Sequence, residues 1–427
     1  TLTAMQKYKT YKWSGNPFFG DIPSCWDIYP LFKIAKIKSI INKQDEELLS
    51  VYLDRGVIKF SDVDEKRTNV TSLDLSKYQF VEKGDFVLNN QQAWRGSVGV
   101  SNHIGIVSPA YLVLSLSKEI NPKYANYLFR DGSMVSQYLI CSKGVGTIQR
   151  NLYWPHLRRT IVALPSYIEQ TAIANFLDTK TNQIDEAIAI KEQQIALLNE
   201  RKQILIQQAV TQGLDPTVPM KDSGVEWIGK IPEHWIVKRA KYLFNEIDER
   251  SVNGDEELLS VSHITGVTPR SEKNVNMFMA EDYSGSKTCE KNDLVFNIMW
   301  AWMGALGVSD RRGIVSPSYG VFRAKAESTF NPIFLEYLLK STNYIEHYNK
   351  VSTGLHSSRL RFYGHMFFDM EMGFPSFEEQ NYIIEHVQKE SDVIDKALSL
   401  QEQQIEALKE YKTTLINSAV TGKIKVV

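Results

Sequence analysis

The 427-residue chain is long enough for two or three ordinary domains, and its 43% apolar and 23% charged content is that of a globular protein. It holds no apolar run of the roughly 18 residues a membrane span needs, and its lysine-bearing start lacks the apolar stretch of a signal peptide. A net charge of −1 counts against a stand-alone polyanion binder, and the scattered Cys25, Cys141 and Cys289 form no CxxC pair, which argues against a zinc site or disulfide framework and fits a reducing cytoplasm.

Taken in chain order, the first landmark is Trp13 to Pro23, WSGNPFFGDIP. Its Asn16-Pro17-Phe18-Phe19 is a distant echo of the NPPY motif of adenine methyltransferases. It lacks the second proline, and no strand with a glycine-rich donor loop precedes it, so it is read as non-catalytic. The acidic run Asp45 to Glu47 reads as a solvated turn before the strand-like LLSV. Asp85 to Leu88 alternates as a strand and leads into the polar stretch Asn89 to Gly96. Pro122 to Leu139 reads as a helix, with Asn121 as N-cap and proline in its first turn. Lys143 to Asn151 is a glycine-opened polar loop, and its GVGT (Gly144 to Thr147) is too short for a phosphate loop and lacks the lysine. No HxH or HxxxH pair suggests a metal site.

From Asp178 to Thr211 the texture changes: there is no glycine or proline, and Gln, Glu, Lys, Ile and Leu dominate. Ile184, Ile188, Lys191, Ile195, Leu198, Lys202, Leu205 and Ala209 recur at alternating spacings of four and three, a heptad seam with two polar interruptions that can fix register. Gly213 and Pro216 end the helix.

The chain then repeats itself. DEELLSV recurs from Asp45 to Asp255, Ile22-Pro23…Trp26 as Ile231-Pro232…Trp235, and GIVSP from Gly105 to Gly313. Leu164 to Gln170 (LPSYIEQ) recurs as Phe374 to Gln380 (FPSFEEQ), and Ala209 to Thr211 as Ala419 to Thr421. The seam recurs as Ile394, Leu398, Gln401, Ile405, Leu408, Lys412, Leu415 and Ala419. Two copies of one module are therefore expected. The fold class is α+β, with two similar mixed domains at 1–165 and 216–375 and long helices within 166–215 and 376–427. Each helix can pack on its own globular domain. The matched seams favour instead an antiparallel coiled coil, related by a pseudo-two-fold axis and carrying the domains as a caliper.

At this point the motifs resemble a known family. IPxxW (Ile22 to Trp26, Ile231 to Trp235), LPSYIEQ, FPSFEEQ and the helix ends AVTQGLDP (Ala209 to Pro216) and AVTGKI (Ala419 to Ile424) look like those of Type I restriction-modification specificity subunits, over essentially the whole chain. The second copy carries the family-like lead DSGVEWIGKIP (Asp222 to Pro232), from which WSGNPFFGDIP departs. The resemblance implies a non-catalytic, cytoplasmic subunit whose two target recognition domains each read one half of a bipartite double-stranded DNA site. It implies helices that set the spacer and dock two modification (methyltransferase) subunits, with two restriction (motor-nuclease) subunits joining. No cofactor is expected on this chain; S-adenosylmethionine, ATP and magnesium belong on the partners. A rival is a coiled-coil scaffold whose heads bind proteins.

Comparing the copies selects candidate readers. Asn89 to Gly96 aligns with Asn297 to Gly304; shared Asn89/Asn297, Trp94/Trp302 and Gly96/Gly304 build the loop, while Asn90, Gln91, Gln92 and Arg95 differ from Ile298, Met299, Trp300 and Met303. Amides can bind adenine and arginine guanine in bidentate fashion. The DNA-binding set is Asn90, Gln91, Gln92, Trp94, Arg95, Met299, Trp300 and Trp302. Lys143, Gln149 and Arg150 join it, as do His356, Ser357, Ser358, Arg359 and Arg361 from the aligned Thr353 to Arg361.

Overall fold

The structure is a computed structural model that describes residues 5–62, 74–144, 150–273, 282–354 and 360–426. The chain forms two compact units, Thr1–Lys191 with Glu402–Val427, and Glu192–Gln401. Each holds one globular part and a stretch of both long helices.

The first globular part opens on a hairpin in which Tyr11–Trp13 pairs antiparallel with Asp21–Pro23. The Ser14 hydroxyl donates to the Asn16 carbonyl (2.9 Å) and accepts from the Asn16 amide (3.1 Å). Buried Asn16 donates Nδ2 to Gln137 Oε1 at 2.7 Å, so its amide serves packing. The second unit builds the same hairpin from Met220–Asp222 and Lys230–Pro232, with Ser223 bonded both ways to Val225. The divergent first lead thus folds like the second, because both keep the Ser-Gly that closes the turn.

A four-stranded antiparallel sheet follows, in the order Ala35–Lys38, Tyr111–Leu116, Phe86–Asn89, Val98–Val100. Its side chains alternate as a strand requires. Phe86, Leu88 and Leu114 face the helices, while Val87 and Val113 face a second layer with Leu49, Val51 and Val57. That layer is a hairpin, Leu49–Tyr52 against Gly56–Lys59. The second unit repeats the sheet with Phe244–Glu246, Gly320–Ala324, Leu294–Phe296 and Leu306–Val308, and its hairpin is Leu259–Ser262 against Gly266–Pro269.

The helix expected over 122–139 is two helices, Pro122–Arg130 and Gly132–Ile140. Asn121 caps the first as expected, accepting from the Lys123 and Tyr124 amides. Extended Asp131 (ψ 150°) then ends it and caps the next by accepting from Ser133 N at 2.9 Å. The second unit breaks likewise at Ser341, between Pro332–Leu339 and Thr342–Val351. Apolar periodicity continues through each break, which hides it in the sequence.

The motifs carrying the family resemblance turn out to be structural joints. Trp26 is fully buried and its indole donates to Glu169 (3.3 Å); Trp235 does the same with Glu379 (3.0 Å). Gln170 is buried, donates to the Glu119 and Pro165 carbonyls and accepts from the Asn121 amide at 2.7 Å. Gln380 repeats this with Thr329, Pro375 and Asn331. Both residues tie the start of a long helix to the Asn-Pro cap, satisfying backbone groups that burial otherwise strands.

The long helices run Tyr167–Gln212 and Phe377–Val420. All sixteen seam positions named above are buried or half-buried, with Ile184, Ala209, Ile394, Ile405, Leu415 and Ala419 buried. Within the first unit Lys412 meets Asp185 (2.7 Å) and Lys191 donates to Gln404, so the two stretches run antiparallel. Within the second, Lys202 bonds Asp395 at 2.7 Å. The polar seam positions Lys191, Lys202 and Lys412 thus carry register-setting bonds. Toward the helix ends the seam serves the globular cores instead. Leu415 and Ala419 lie in the first unit's core with Trp26, and Ala209 lies in the second's with Trp235. The helix-on-helix and helix-on-domain readings therefore each hold for part of the length. Exchanging the charges of Asp185 and Lys412 singly should destabilise, and the double exchange should recover about 0.2–1 kcal/mol of coupling, measured by a double-mutant cycle in urea.

Cys25 is exposed, whereas Cys141 and Cys289 are buried. Burial raises the Cys141 thiol and pushes that of Cys289 up to about 11. A native thiol titration at pH 8 should therefore read one group promptly, and all three after denaturation.

Candidate nucleic-acid interface

In both units an asparagine at the end of the strand before the candidate loop, Asn89, or directly after that strand, Asn297, organises the loop. Asn89 Oδ1 accepts from the Gln91 amide, as Asn297 Oδ1 does from Met299. A single 3-10 turn follows, Ala93–Arg95 or Ala301–Met303, closed by Gly96 (φ +101°) or Gly304 (φ +81°). The indole N–H of Trp94 bonds the Gln91 carbonyl at 2.9 Å, and that of Trp302 the Met299 carbonyl at 3.0 Å. The shared positions build the loop as expected. Trp94 and Trp302, expected among the base readers, have their donors engaged internally; what they offer is a half-buried ring face. Asn297 Nδ2 also donates to the Tyr319 hydroxyl at 2.9 Å, and burial holds that phenol above its ordinary range, neutral at physiological pH.

The second candidate segment lies against the first. Ser142–Lys143 pairs with Asn151–Leu152, and the Leu152 amide donates to the Asn90 carbonyl at 3.0 Å. In the second unit Thr353 bridges Arg361, and the Phe362 amide donates to the Ile298 carbonyl at 3.0 Å. Residues more than 60 positions apart are thereby joined on one edge. Gln149, His356, Ser357, Ser358 and Arg359 lie outside the described residues.

The two edges differ in chemistry. In the first unit the Arg95 guanidinium lies 4.7 Å and that of Arg150 5.6 Å from the Trp94 ring centre, while Lys143 Nζ stands 3.8 Å over Tyr153. Tyr153 meets His156 edge-on at 4.7 Å. Gln91, Arg95 and Lys143 are exposed; Asn90, Gln92 and Arg150 are half-buried. In the second unit Trp300, 44% exposed, stacks on Trp302 at 5.9 Å, beside exposed Met303 and half-buried Met299 and Arg361. One edge is cationic and amide-bearing, the other aromatic and thioether-rich. Sequence reasoning missed Tyr153 and its counterpart Tyr363, both exposed, although each copy carries a tyrosine at the same place. Among the described residues no group of His, Cys, Asp or Glu is placed to hold a metal ion, and no helix is long and apolar enough to cross a membrane.

Two repeats of a sheet-and-hairpin domain, each continued by a long helix that pairs with the other, define the fold of Type I restriction-modification specificity subunits. No family profile matches the chain. A curated relative, the Type I restriction enzyme MjaVIII specificity subunit of Methanocaldococcus jannaschii, is 24% identical over 439 residues, covering 95% of this chain and 94% of its own. The crystal structure of the HsdS subunit from Thermoanaerobacter tengcongensis matches with a TM-score of 0.56 at 14% identity, over 94% of this chain and 98% of that one. A chain from a study of complex assembly and conformational transition of a type I R-M system matches at 0.66 with 13% identity, over 93% and 98%.

Proposed function

We propose that the chain is the DNA sequence-specificity subunit of a Type I restriction-modification complex. Each unit reads one half of a bipartite site, and the paired helices set the spacer and dock the modification subunits. The observation that carries this reading is the pair of loops with one backbone and two chemistries. A shared scaffold presenting different side chains is what reading two unlike half-sites requires. Cationic Arg95, Lys143 and Arg150 suit guanine edges and phosphates, whereas exposed Trp300 and Met303 suit apolar contact with thymine methyl groups. Catalysis then resides on the partners: two modification subunits carry S-adenosylmethionine, and two restriction subunits use ATP and magnesium. A net charge near zero fits a reader that shares its phosphate grip with those subunits. The cytoplasm is the compartment where such a complex meets DNA.

The test is co-expression with the cognate modification subunit, followed by mapping of methylated adenines across the host genome. One bipartite motif should appear and vanish when this chain is omitted. Exchange of residues 1–165 for those of another specificity subunit should change one half-site alone. Methylation without any motif would overturn the reading.

A further inference from the structure

Beside the candidate loop, each unit presents a second exposed element of constant shape and changing chemistry. The hairpin Leu49–Tyr52/Gly56–Lys59 turns through Leu53, Asp54 and Arg55, and Leu259–Ser262/Gly266–Pro269 turns through His263, Ile264 and Thr265. The seven residues Val51 to Val57 and Val261 to Val267 follow the same succession of buried, half-buried and exposed positions. Val51, Gly56 and Val57 recur as Val261, Gly266 and Val267, whereas the three exposed tip residues, and Tyr52 against Ser262 before them, are exchanged.

Both tips are pinned to the edge carrying the candidate loop. Ser97, directly after that loop, donates its hydroxyl to the Val51 carbonyl at 2.9 Å. Arg130 Nη2 donates to the carbonyls of Leu53 (3.3 Å) and Asp54. A Cβ on Gly99 would stand 3.1 Å from Gly56 Cα, and one on Gly307 2.9 Å from Gly266 Cα, so each hairpin backbone lies directly on the strand leaving its loop. Such close packing fixes the ribbon in place. Ile264 is nevertheless 78% exposed and Leu53 51% exposed. Each side chain thus contributes little to the core and stands at the end of a fixed ribbon, open to a surface that approaches it.

We propose that these tips are a second base-reading element in each unit, entering the major groove of duplex DNA as a two-stranded ribbon; this rests on the DNA-reading function proposed above. The major groove admits such a ribbon, and the tip chemistries match its edges. Asp54 accepts from the cytosine amino group, and Arg55, whose guanidinium lies 5.2 Å over the Tyr52 ring, donates to guanine. Ile264 packs on a thymine methyl, with His263 and Thr265 as flanking donors and acceptors.

The experiment uses the full chain assembled with its modification subunit and a duplex library randomised over both half-sites. Methylated members are sequenced for the parent, Arg55→Ala and Ile264→Ala complexes. Arg55→Ala should lower methylation of the parent's preferred duplex about 5- to 150-fold and erase preference at one position of one half-site. Ile264→Ala should relax a position in the other half-site. Unchanged base preferences in both variants would overturn the tips as readers while leaving the proposed function standing. A parent complex with no base preference would overturn that function itself. Equal weakening on every sequence would reduce Arg55 to a phosphate contact and also overturn base reading. Arg55→Lys keeps the charge without the bidentate fork, so loss of preference there supports the proposal even if the alanine variant melts.

Discussion

Replacing Arg95 and Arg150 together by alanine lowers methylation of the preferred duplex at least about 30-fold, and erases base preference in one half-site while sparing the other. Two arginine contacts of at least about 1 kcal/mol each give that factor. The expectation follows from geometry: both guanidiniums gather on the Trp94 ring, on a loop closed by its own backbone bonds and with its indole N–H already engaged. Trp94 therefore acts as a platform that orients the cations. Its replacement by leucine should cost less than loss of either arginine, because the backbone bonds of the turn remain. Methylation rates measured across a salt series sort the roles. An arginine on phosphate reduces the salt slope by roughly one and weakens all sequences alike, whereas one on guanine relaxes a single position. Met303→Ala, at the position aligned with Arg95, should leave the salt slope unchanged. Equal loss in both half-sites for the Arg95/Arg150 variant would dissociate this edge from sequence reading.

Much of this organisation is legible in the chain. The repeat is visible in DEELLSV and GIVSP, and the seam in a spacing that no globular strand reproduces. The candidate loop emerges because Asn89, Trp94 and Gly96 recur while Asn90, Gln91, Gln92 and Arg95 do not. Other features were hidden for identifiable reasons. Asp131 and Ser341 split helices whose apolar period continues, so the break is a matter of backbone dihedrals and capping alone. The Leu152 to Asn90 bond joins segments whose order in the chain says nothing of their contact. Trp26, Glu169 and Gln170 are legible as motifs, but the bonds of Trp26 to Glu169 and of Gln170 to the Pro165 carbonyl require coordinates. The hairpin tips are flanked by recurring residues, Val51 and Gly56-Val57 against Val261 and Gly266-Val267, but their exposure beside the candidate loop requires coordinates.

Leu415→Ala removes about 2–5 kcal/mol from the first unit, the expected cost of a fully buried leucine in a core that collapses only partly. This residue lies some 250 positions after the globular stretch it stabilises, which ends near Leu164. It packs with Trp26 and Ile173 in one core, beside Val420, whose carbonyl accepts from the buried Tyr124 hydroxyl at 3.2 Å. The helix then stops at Gly422 (φ +74°), where a Cβ would come within 2.3 Å of Pro23 Cδ. The IPxxW motif and the end of the second long helix therefore form one joint, just as Trp235 and Gly213 do in the second unit. Urea denaturation followed by tryptophan fluorescence should show Leu415→Ala shifting the first unit's transition. Leu400→Ala, on the exposed face of the same helix, should stay within about 0.5 kcal/mol of the parent. A Leu415→Ala cost as small as that of Leu400→Ala would mean that the helix end is dispensable to the core. The closure of the first unit's core by a distant helix would then be wrong. If the cost appears, the seam has two roles along its length: it registers one helix against the other near Lys191, and it completes the first globular core near Leu415.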